Sequence, residues 1–248
     1  MTIIEVLVVL AVLTILLTLA LPPMARIRGE AKNTAALVLL RQHATVFTTY
    51  AVDYQGTYPF PIWPSDVNGT TTTRLTLGGF HDVPILDFFE LYNLWHIALA
   101  NQYYEGRYWT SEFFLPGSDG HFFTDYWYSS TFLTDPAYWR YETRTAGYGQ
   151  IRPVKWHEVD YPSKKTLLQV PPSASVTLLA PHPSLQPNAF YVVSSAPRMA
   201  FVDGSARRVN SSQLMPPYFD VTAGSRRPID VGTPGMHTIG GVQGRDVR

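Results

Sequence analysis

The sequence predicts an α+β fold, in which a long N-terminal α-helix precedes a globular domain with an antiparallel sheet. Residues 3–21 are apolar except for Glu5 and two threonines, which indicates a helix apolar on nearly every face. Beyond Pro23, apolar residues recur every three or four positions as far as Tyr54, which is typical of an amphipathic helix. The last third contains short apolar segments separated by turn-forming residues, which favours antiparallel strands.

The chain of 248 residues is predicted to have three parts. Residues 1–55 form a hydrophobic and then amphipathic helix with a break near Pro22. Residues 56–221 form a β-rich globular domain that includes a helix at about 84–105. Residues 222–248 form an extended tail, because Pro, Gly, Ser and Arg dominate there and the apolar periodicity fades.

The apolar segment has the length of a membrane-spanning helix, which needs about 20 residues. Glu5 is its one charged residue, and a carboxylate in hydrocarbon costs at least about 2.5 kcal/mol without a partner. If Met1 begins the mature protein, its ammonium lies about one helical turn from Glu5. We therefore predict that Glu5 pairs with the Met1 ammonium, either within one chain or between neighbouring subunits.

Two adjacent prolines, Pro22 and Pro23, end the apolar segment. They remove two backbone donors and clash with the preceding turn, so the helix should kink or unwind just before them. The amphipathic half then continues to a stop at Gly56. Its predicted apolar face consists of Leu37, Leu40, Ala44, Phe47, Ala51 and Tyr54.

The globular region contains one predicted helix and several predicted strands. Pro84 suits the first helical position and Gly106 suits the residue after the end, which gives a helix over residues 84–105. Strands are predicted at residues 166–170 and 189–193, and a hairpin at 199–209. Asp203-Gly204 is expected to be the two-residue turn of that hairpin. The Trp, Tyr and Phe residues of 108–161 could form a sugar-binding surface, but packing within the domain or between subunits is the favoured interpretation.

Little in the sequence points to catalysis or to a bound cofactor. The net charge is zero and basic residues are scattered, so no nucleic-acid partner is predicted. The chain has no cysteine, which excludes disulfides and thiolate metal sites. Asp119, Gly120 and Asp125 could supply oxygen ligands to calcium, but ordinary turns are the favoured interpretation. Because no nucleotide, hydrolase or metalloprotease motif is present, we predict a protein that is not an enzyme.

The run Thr2–Val9, with Glu5 in it and Pro22 beyond it, resembles the mature N-terminus of type IV pilins and type II secretion pseudopilins. In that family a prepilin peptidase removes a short basic leader and methylates the new N-terminus. The resemblance implies that Met1 is the processed and methylated residue, at a position where the family usually has Phe. Residues 201–205 resemble an aspartate–glycine strand pair of large pilin-like proteins, but Val193 stands where those proteins usually have a histidine.

The resemblance implies a structural subunit that polymerises through its N-terminal helix into an extracellular type IV pilus-like filament. The alternatives are a type II secretion pseudopilin and a minor pilin or adhesin with a binding surface. The implied location is the bacterial inner membrane before assembly and the cell surface afterwards. The implied partners are further copies of the chain, the prepilin peptidase and the pilus or secretion assembly machinery.

Overall fold

The computed structural model of the chain describes residues 2–60, 73–77, 80–85, 94–118, 124–145, 149–170, 196–216 and 235–248. These residues form a long N-terminal helix and a four-stranded antiparallel sheet, so the predicted α+β class is confirmed. The helices are α1 (Ile3–Asp53) and α2 (Trp95–Tyr103), and the strands are β1 (Thr73–Leu77), β2 (Phe80–Ile85), β3 (Trp127–Tyr128), β4 (Thr166–Val170), β5 (Arg198–Phe201) and β6 (Ala206–Arg208).

Helix α1 is continuous from Ile3 to Asp53, and its backbone is helical at Pro22 and Pro23. A proline can bend a helix without ending it, because it removes one hydrogen bond of the ladder. The unwinding predicted just before Pro22 is absent from the single chain, because the helix is continuous there, while a break in the packed filament stays a prediction. The helix stops where expected: Gly56, at φ +82°, donates its N–H to the carbonyl oxygen of Ala51 at 2.6 Å.

The four-stranded sheet has the order β3-β4-β5-β6, and every neighbouring pair is antiparallel. Strand β4 has the predicted bounds and all five of its side chains are buried. The predicted C-terminal hairpin is confirmed as β5–β6, but its loop has three residues, from Val202 to Gly204. The two-residue turn was wrong because Phe201 and Ser205 still pair, and Gly204 takes the left-handed conformation with φ +80°.

The second half of α1 lies against strands β4, β5 and β6. Its buried residues recur at helical spacing, as an amphipathic helix requires. They are Ala36, Leu40, His43, Ala44, Phe47 and Ala51. Leu37 is half-buried against the same core, whereas Tyr54 is 44% exposed and lies outside the buried face. The predicted face is therefore confirmed except at its last residue.

Helix α2 is shorter than predicted, since it begins at Trp95 and Pro84 lies in β2. In β2, Pro84 is paired with Arg74 of β1. The aromatic-rich region 108–161 forms short 3-10 helices around β3, and many of its aromatic side chains are buried in the core. These include Phe113, Tyr126, Tyr128, Phe132, Tyr138 and Trp139. The interpretation as packing residues is confirmed for these six, whereas Tyr141, Trp156 and Tyr161 of the same region are exposed. The strand predicted at 189–193 lies outside the described residues.

The C-terminal residues 235–248 pack into the domain. Met236, Val242 and Val247 are buried, and Met215 donates its N–H to the carbonyl oxygen of Asp246 at 2.8 Å. The extended tail expected over residues 222–248 is therefore wrong for this described part. A Gly/Pro-rich composition lowers the apolar periodicity, but a segment with a few apolar anchors and satisfied backbone groups can still fill a core.

Candidate assembly surface

The first half of α1 is exposed along its whole described length. Every described side chain from Thr2 to Lys32 is exposed. The large apolar side chains of residues 3–27 form what we call the N-terminal apolar surface, and their exposed fractions run from 42% at Val6 to 81% at Ile3. Monomeric proteins rarely expose a continuous apolar surface of this extent, so a partner is needed to cover it.

The domain begins to cover α1 at about residue 30. The Arg208 guanidinium lies 3.9 Å from Glu30, and the Arg198 guanidinium donates to the side-chain oxygen of Asn33. Ala36 is the first fully buried residue of the helix. About 30 residues therefore extend beyond the domain, which corresponds to roughly 45 Å of helix at 1.5 Å per residue.

Glu5 closes the N-terminus of α1 together with Thr2. The Thr2 N–H donates to Glu5 Oε2 at 2.7 Å, and the Glu5 N–H donates to Thr2 Oγ1 at 3.3 Å. This reciprocal pair is a capping box, which satisfies two backbone donors at the helix start. The sequence signal for this capping box is Thr-x-x-Glu at residues 2–5, and sequence reasoning missed it.

The threonines inside the apolar surface use their hydroxyls within the helix. Thr14 donates to the carbonyl oxygen of Leu10 at 2.7 Å, and Thr18 donates to that of Ile15 at 2.8 Å. A hydroxyl already bonded to its own helix can be buried against another apolar helix without an unsatisfied donor. An apolar partner surface can therefore cover the N-terminal apolar surface, and the two threonine hydroxyls need no polar partner there.

Among the residues whose side chains are described, no helical stretch is both long enough and apolar enough for a membrane span. Met1, the predicted partner of Glu5, lies outside the described residues, as do Asp119 and Gly120. Asp125 Oδ2 accepts the Leu115 N–H at 2.8 Å. The described part of the chain contains no cluster of three His, Asp or Glu side chains suited to a metal ion.

A buried ion pair holds the C-terminal segment to the sheet, and sequence reasoning missed it. Lys165 Nζ lies 3.0 Å from Asp246, and neither side chain is exposed. Asp246 also accepts the Thr238 hydroxyl at 2.7 Å and the Thr166 N–H at 2.9 Å. Burial raises the pKa of Asp246 and lowers the pKa of Lys165, because each charge loses its hydration. Residues 81 positions apart carry no local signal of such a pair.

Three of the histidines whose side chains the structure describes are buried in the domain, and burial favours their neutral form. His43 contacts the Tyr104 hydroxyl at 2.7 Å and the Glu112 carbonyl oxygen at 2.9 Å, while His96 has no hydrogen-bond partner among the described residues. His237 Nε2 accepts the Ser130 N–H at 3.2 Å. Burial lowers the pKa of His43 to about 4 and those of His96 and His237 to about 3.

Comparisons with family models, with curated proteins and with solved structures find no match to the chain.

Proposed function

We propose that this chain is a pilin, a structural subunit that polymerises through the N-terminal apolar surface into an extracellular type IV pilus-like filament. One observation carries the proposal: all described side chains from Thr2 to Lys32 are exposed, on a helix whose other half is the core of the domain. The resemblance of Thr2–Val9, Glu5 and Pro22 to the mature pilin N-terminus agrees with this assignment.

Contact of the N-terminal apolar surface with water costs free energy. At about 25 cal/mol per Å² of apolar area, leaving such a helix in water is strongly unfavourable. A lipid bilayer covers it before assembly, and the same helix on other copies covers it afterwards. A head-to-tail contact that does not close on itself generates a filament and not a ring.

The proposal includes the bacterial inner membrane as the location before assembly and the cell surface as the location afterwards. It includes the prepilin peptidase and the assembly machinery as partners, and it assigns no catalytic activity, resident cofactor or nucleic-acid ligand. In the filament, the N-terminal helices bundle at the centre and the β-rich domains lie outside.

Two valines of α1 give a matched test. Val9 lies in the N-terminal apolar surface and is 52% exposed, while Val52 lies near the other end of the same helix and is 62% exposed. Neither side chain supports the core, so aspartate at either position should leave the domain folded. Val9→Asp places a charge where the helices pack and should reduce surface filaments at least tenfold, whereas Val52→Asp should keep them.

The measurement is immunogold electron microscopy of the producing cells, together with the amount of this protein in the sheared surface fraction. Normal filaments from Val9→Asp, or equal losses from both variants, would refute the proposal. Short filaments seen only when a secretion system is overproduced would instead assign the chain to the pseudopilins.

A further inference from the structure

A groove lies at the domain end of α1, away from the N-terminal apolar surface. Its volume is about 380 Å³, which is within the range of small-molecule sites. Helix α1 contributes Thr48 and Ala51 to its wall, a short 3-10 helix (Trp156–Glu158) contributes Trp156 and His157, and the β5–β6 loop contributes Asp203. We call it the Trp156 groove.

Main-chain hydrogen bonds fix the walls of this groove to one another. Trp156 donates its N–H to the Gly56 carbonyl oxygen at 2.8 Å, and Asp203 donates to the Pro162 carbonyl oxygen at 3.3 Å. Tyr58, also in the wall, donates to the Val154 carbonyl oxygen at 2.9 Å. A site whose walls are already joined loses little conformational entropy when it takes a ligand.

The indole of Trp156 is the main apolar feature of the groove. It is 52% exposed, whereas Trp95 and Trp139 of the same domain are fully buried. The ring packs against Gly56, where an added Cβ would come within 3.0 Å of Trp156 Cδ1. One side of the indole is therefore supported by backbone, and the exposed part offers a flat apolar face to a ligand.

Polar groups stand beside this apolar face. Asp203 Oδ1 accepts the N–H and the hydroxyl of Ser205 at 2.9 and 2.6 Å, which fixes the carboxylate and leaves Oδ2 with no partner among the described residues. His157 and Thr48 are the other polar residues of the wall, and the Thr48 hydroxyl donates to the Ala44 carbonyl oxygen at 3.0 Å, so it can only accept from a ligand. Together they offer hydrogen-bond acceptors and donors within reach of one small ligand.

We propose that the Trp156 groove binds a pyranose sugar, whose C–H face stacks on the indole while its hydroxyls bond to Asp203 and His157. A purely apolar occupant would desolvate both ionisable groups without compensation. A quaternary ammonium prefers a cage of several aromatic faces, and Tyr58 is only 4% exposed, which leaves Trp156 as the open ring. A polyhydroxylated ring satisfies the apolar face and the polar groups together.

This sugar site goes beyond the structural role proposed above and does not depend on it. A variant that fails to form filaments, such as Val9→Asp, should bind the sugar as the parent chain does, because residue 9 lies outside the domain. The two proposals can therefore fail separately.

The test uses the full chain in a detergent without a sugar headgroup, with methyl pyranosides of glucose, galactose, mannose and N-acetylglucosamine as probes. Saturation-transfer NMR should show binding of at least one probe, with a dissociation constant of about 1 mM, the weak affinity expected of a single sugar ring in an open groove. The strongest transfer should reach the protons of the stacked C–H face.

Three variants and one control decide the outcome. Trp156→Ala should abolish transfer, Trp156→Phe should retain it, and Asp203→Asn should weaken binding about tenfold. Tyr141→Ala removes an aromatic ring of nearly equal exposure, 51%, outside the groove and should change nothing. An unfolding free energy of Trp156→Ala close to that of the parent chain shows that a loss of transfer in this variant is not misfolding. No transfer to any probe from the parent chain, equal transfer in Trp156→Ala, or selective binding of choline would overturn the proposal.

Discussion

Glu5 combines two properties that a single substitution can separate. Its carboxylate accepts a backbone N–H in the capping box, and it is also the one charge in the apolar segment. Glutamine at the third helical position accepts the same hydrogen bond, whereas it carries no charge. Thr2→Ala does the reverse, because it removes one cap interaction and keeps the carboxylate.

We predict that Glu5→Gln blocks or strongly reduces filament formation although it preserves the cap. The reason is that the charge, paired with the Met1 ammonium, sets the register of the packed helices, since an unpaired charge in an apolar bundle is penalised. Thr2→Ala should cost about 0.5–2 kcal/mol of helix stability and leave filaments visible. Filament yield is measured in sheared surface fractions. A normal yield from Glu5→Gln would show that the Glu5 charge is not needed for helix packing in the filament.

The buried histidines predict that the domain loses stability in mild acid. Their pKa values lie below the ordinary value of 6.5, so the unfolded chain binds more protons, and stability falls as the pH drops below about 6.5. Against the effect of burial, hydrogen bonds from the Ala137 N–H and from Arg152 lower the pKa of Asp135, and Arg152 lowers that of Glu158, so these two groups contribute only near and below pH 4.5. Between pH 6.5 and 4.5 the histidines lower the stability as the pH falls, while Asp246, whose pKa burial raises, acts in the opposite direction. The contribution of one histidine is therefore read from the difference between a variant and the parent chain.

His96→Leu tests this directly, because His96 has no described hydrogen bond to lose. The variant should reduce the slope of unfolding free energy against pH by one proton, about 1.4 kcal/mol per pH unit, in that window. Urea unfolding followed by near-ultraviolet circular dichroism at several pH values measures the slope. Equal slopes for the two proteins would show that His96 does not titrate on unfolding.

At the scale of elements, α1 is one helix with two environments. Its first half is apolar on all faces and exposed, and its second half is amphipathic and buried against β4, β5 and β6. The same element thus joins the proposed assembly surface rigidly to the domain. In the single chain the helical backbone is continuous through Pro22. The break expected in the filament can be tested with a filament reconstruction.

The C-terminal segment 235–248 is the other element whose role is clear from its contacts. The ion-pair partner of Lys165 is Asp246. Asp246 also accepts hydrogen bonds from the Thr238 hydroxyl and from the Thr166 N–H. Removal of the segment should therefore unfold or loosen the domain itself. This differs from the extended tail that the sequence predicts for residues 222–248.

We predict that Asp246→Ala lowers the free energy of unfolding by about 3–5 kcal/mol, because it leaves a buried ammonium without its partner. Lys165→Met should cost less, since Asp246 keeps two donors and can be protonated. Asp160→Ala, at an exposed aspartate, should lie within about 0.5 kcal/mol of the parent chain. Chemical denaturation orders the three variants, and a larger loss in Lys165→Met would contradict the ranking.

At the scale of the whole molecule, the exposed apolar surface and the hydrophobic core lie in different parts of the chain. The domain encloses its own core, while the N-terminal apolar surface lies outside it. Burial of this surface on association would remove apolar area from water, so we expect the molecule to associate through its N-terminal end.

The purified full-length chain should therefore polymerise without other proteins when its detergent is removed. We expect a one-start or simple multi-start helical polymer with central helices and peripheral domains. Electron microscopy and light scattering distinguish this from amorphous aggregate or monomer. A chain that stays monomeric after complete detergent removal would exclude self-assembly.

The sequence by itself determined the features that depend on local pattern. The length and end of α1, the buried face that includes Leu40, Ala44 and Phe47, strand β4 and the β5–β6 hairpin follow from periodicity and turn residues, which act between near neighbours.

Only the tertiary structure decided the features that join distant residues. Lys165 meets Asp246, and Trp156 rests on Gly56, across separations at which sequence spacing says nothing. The C-terminal segment looked extended because its few apolar anchors have no period, yet the domain supplies the surface that buries them. The physical reason is that burial and desolvation are set by which segments pack together, and packing is a property of the whole fold.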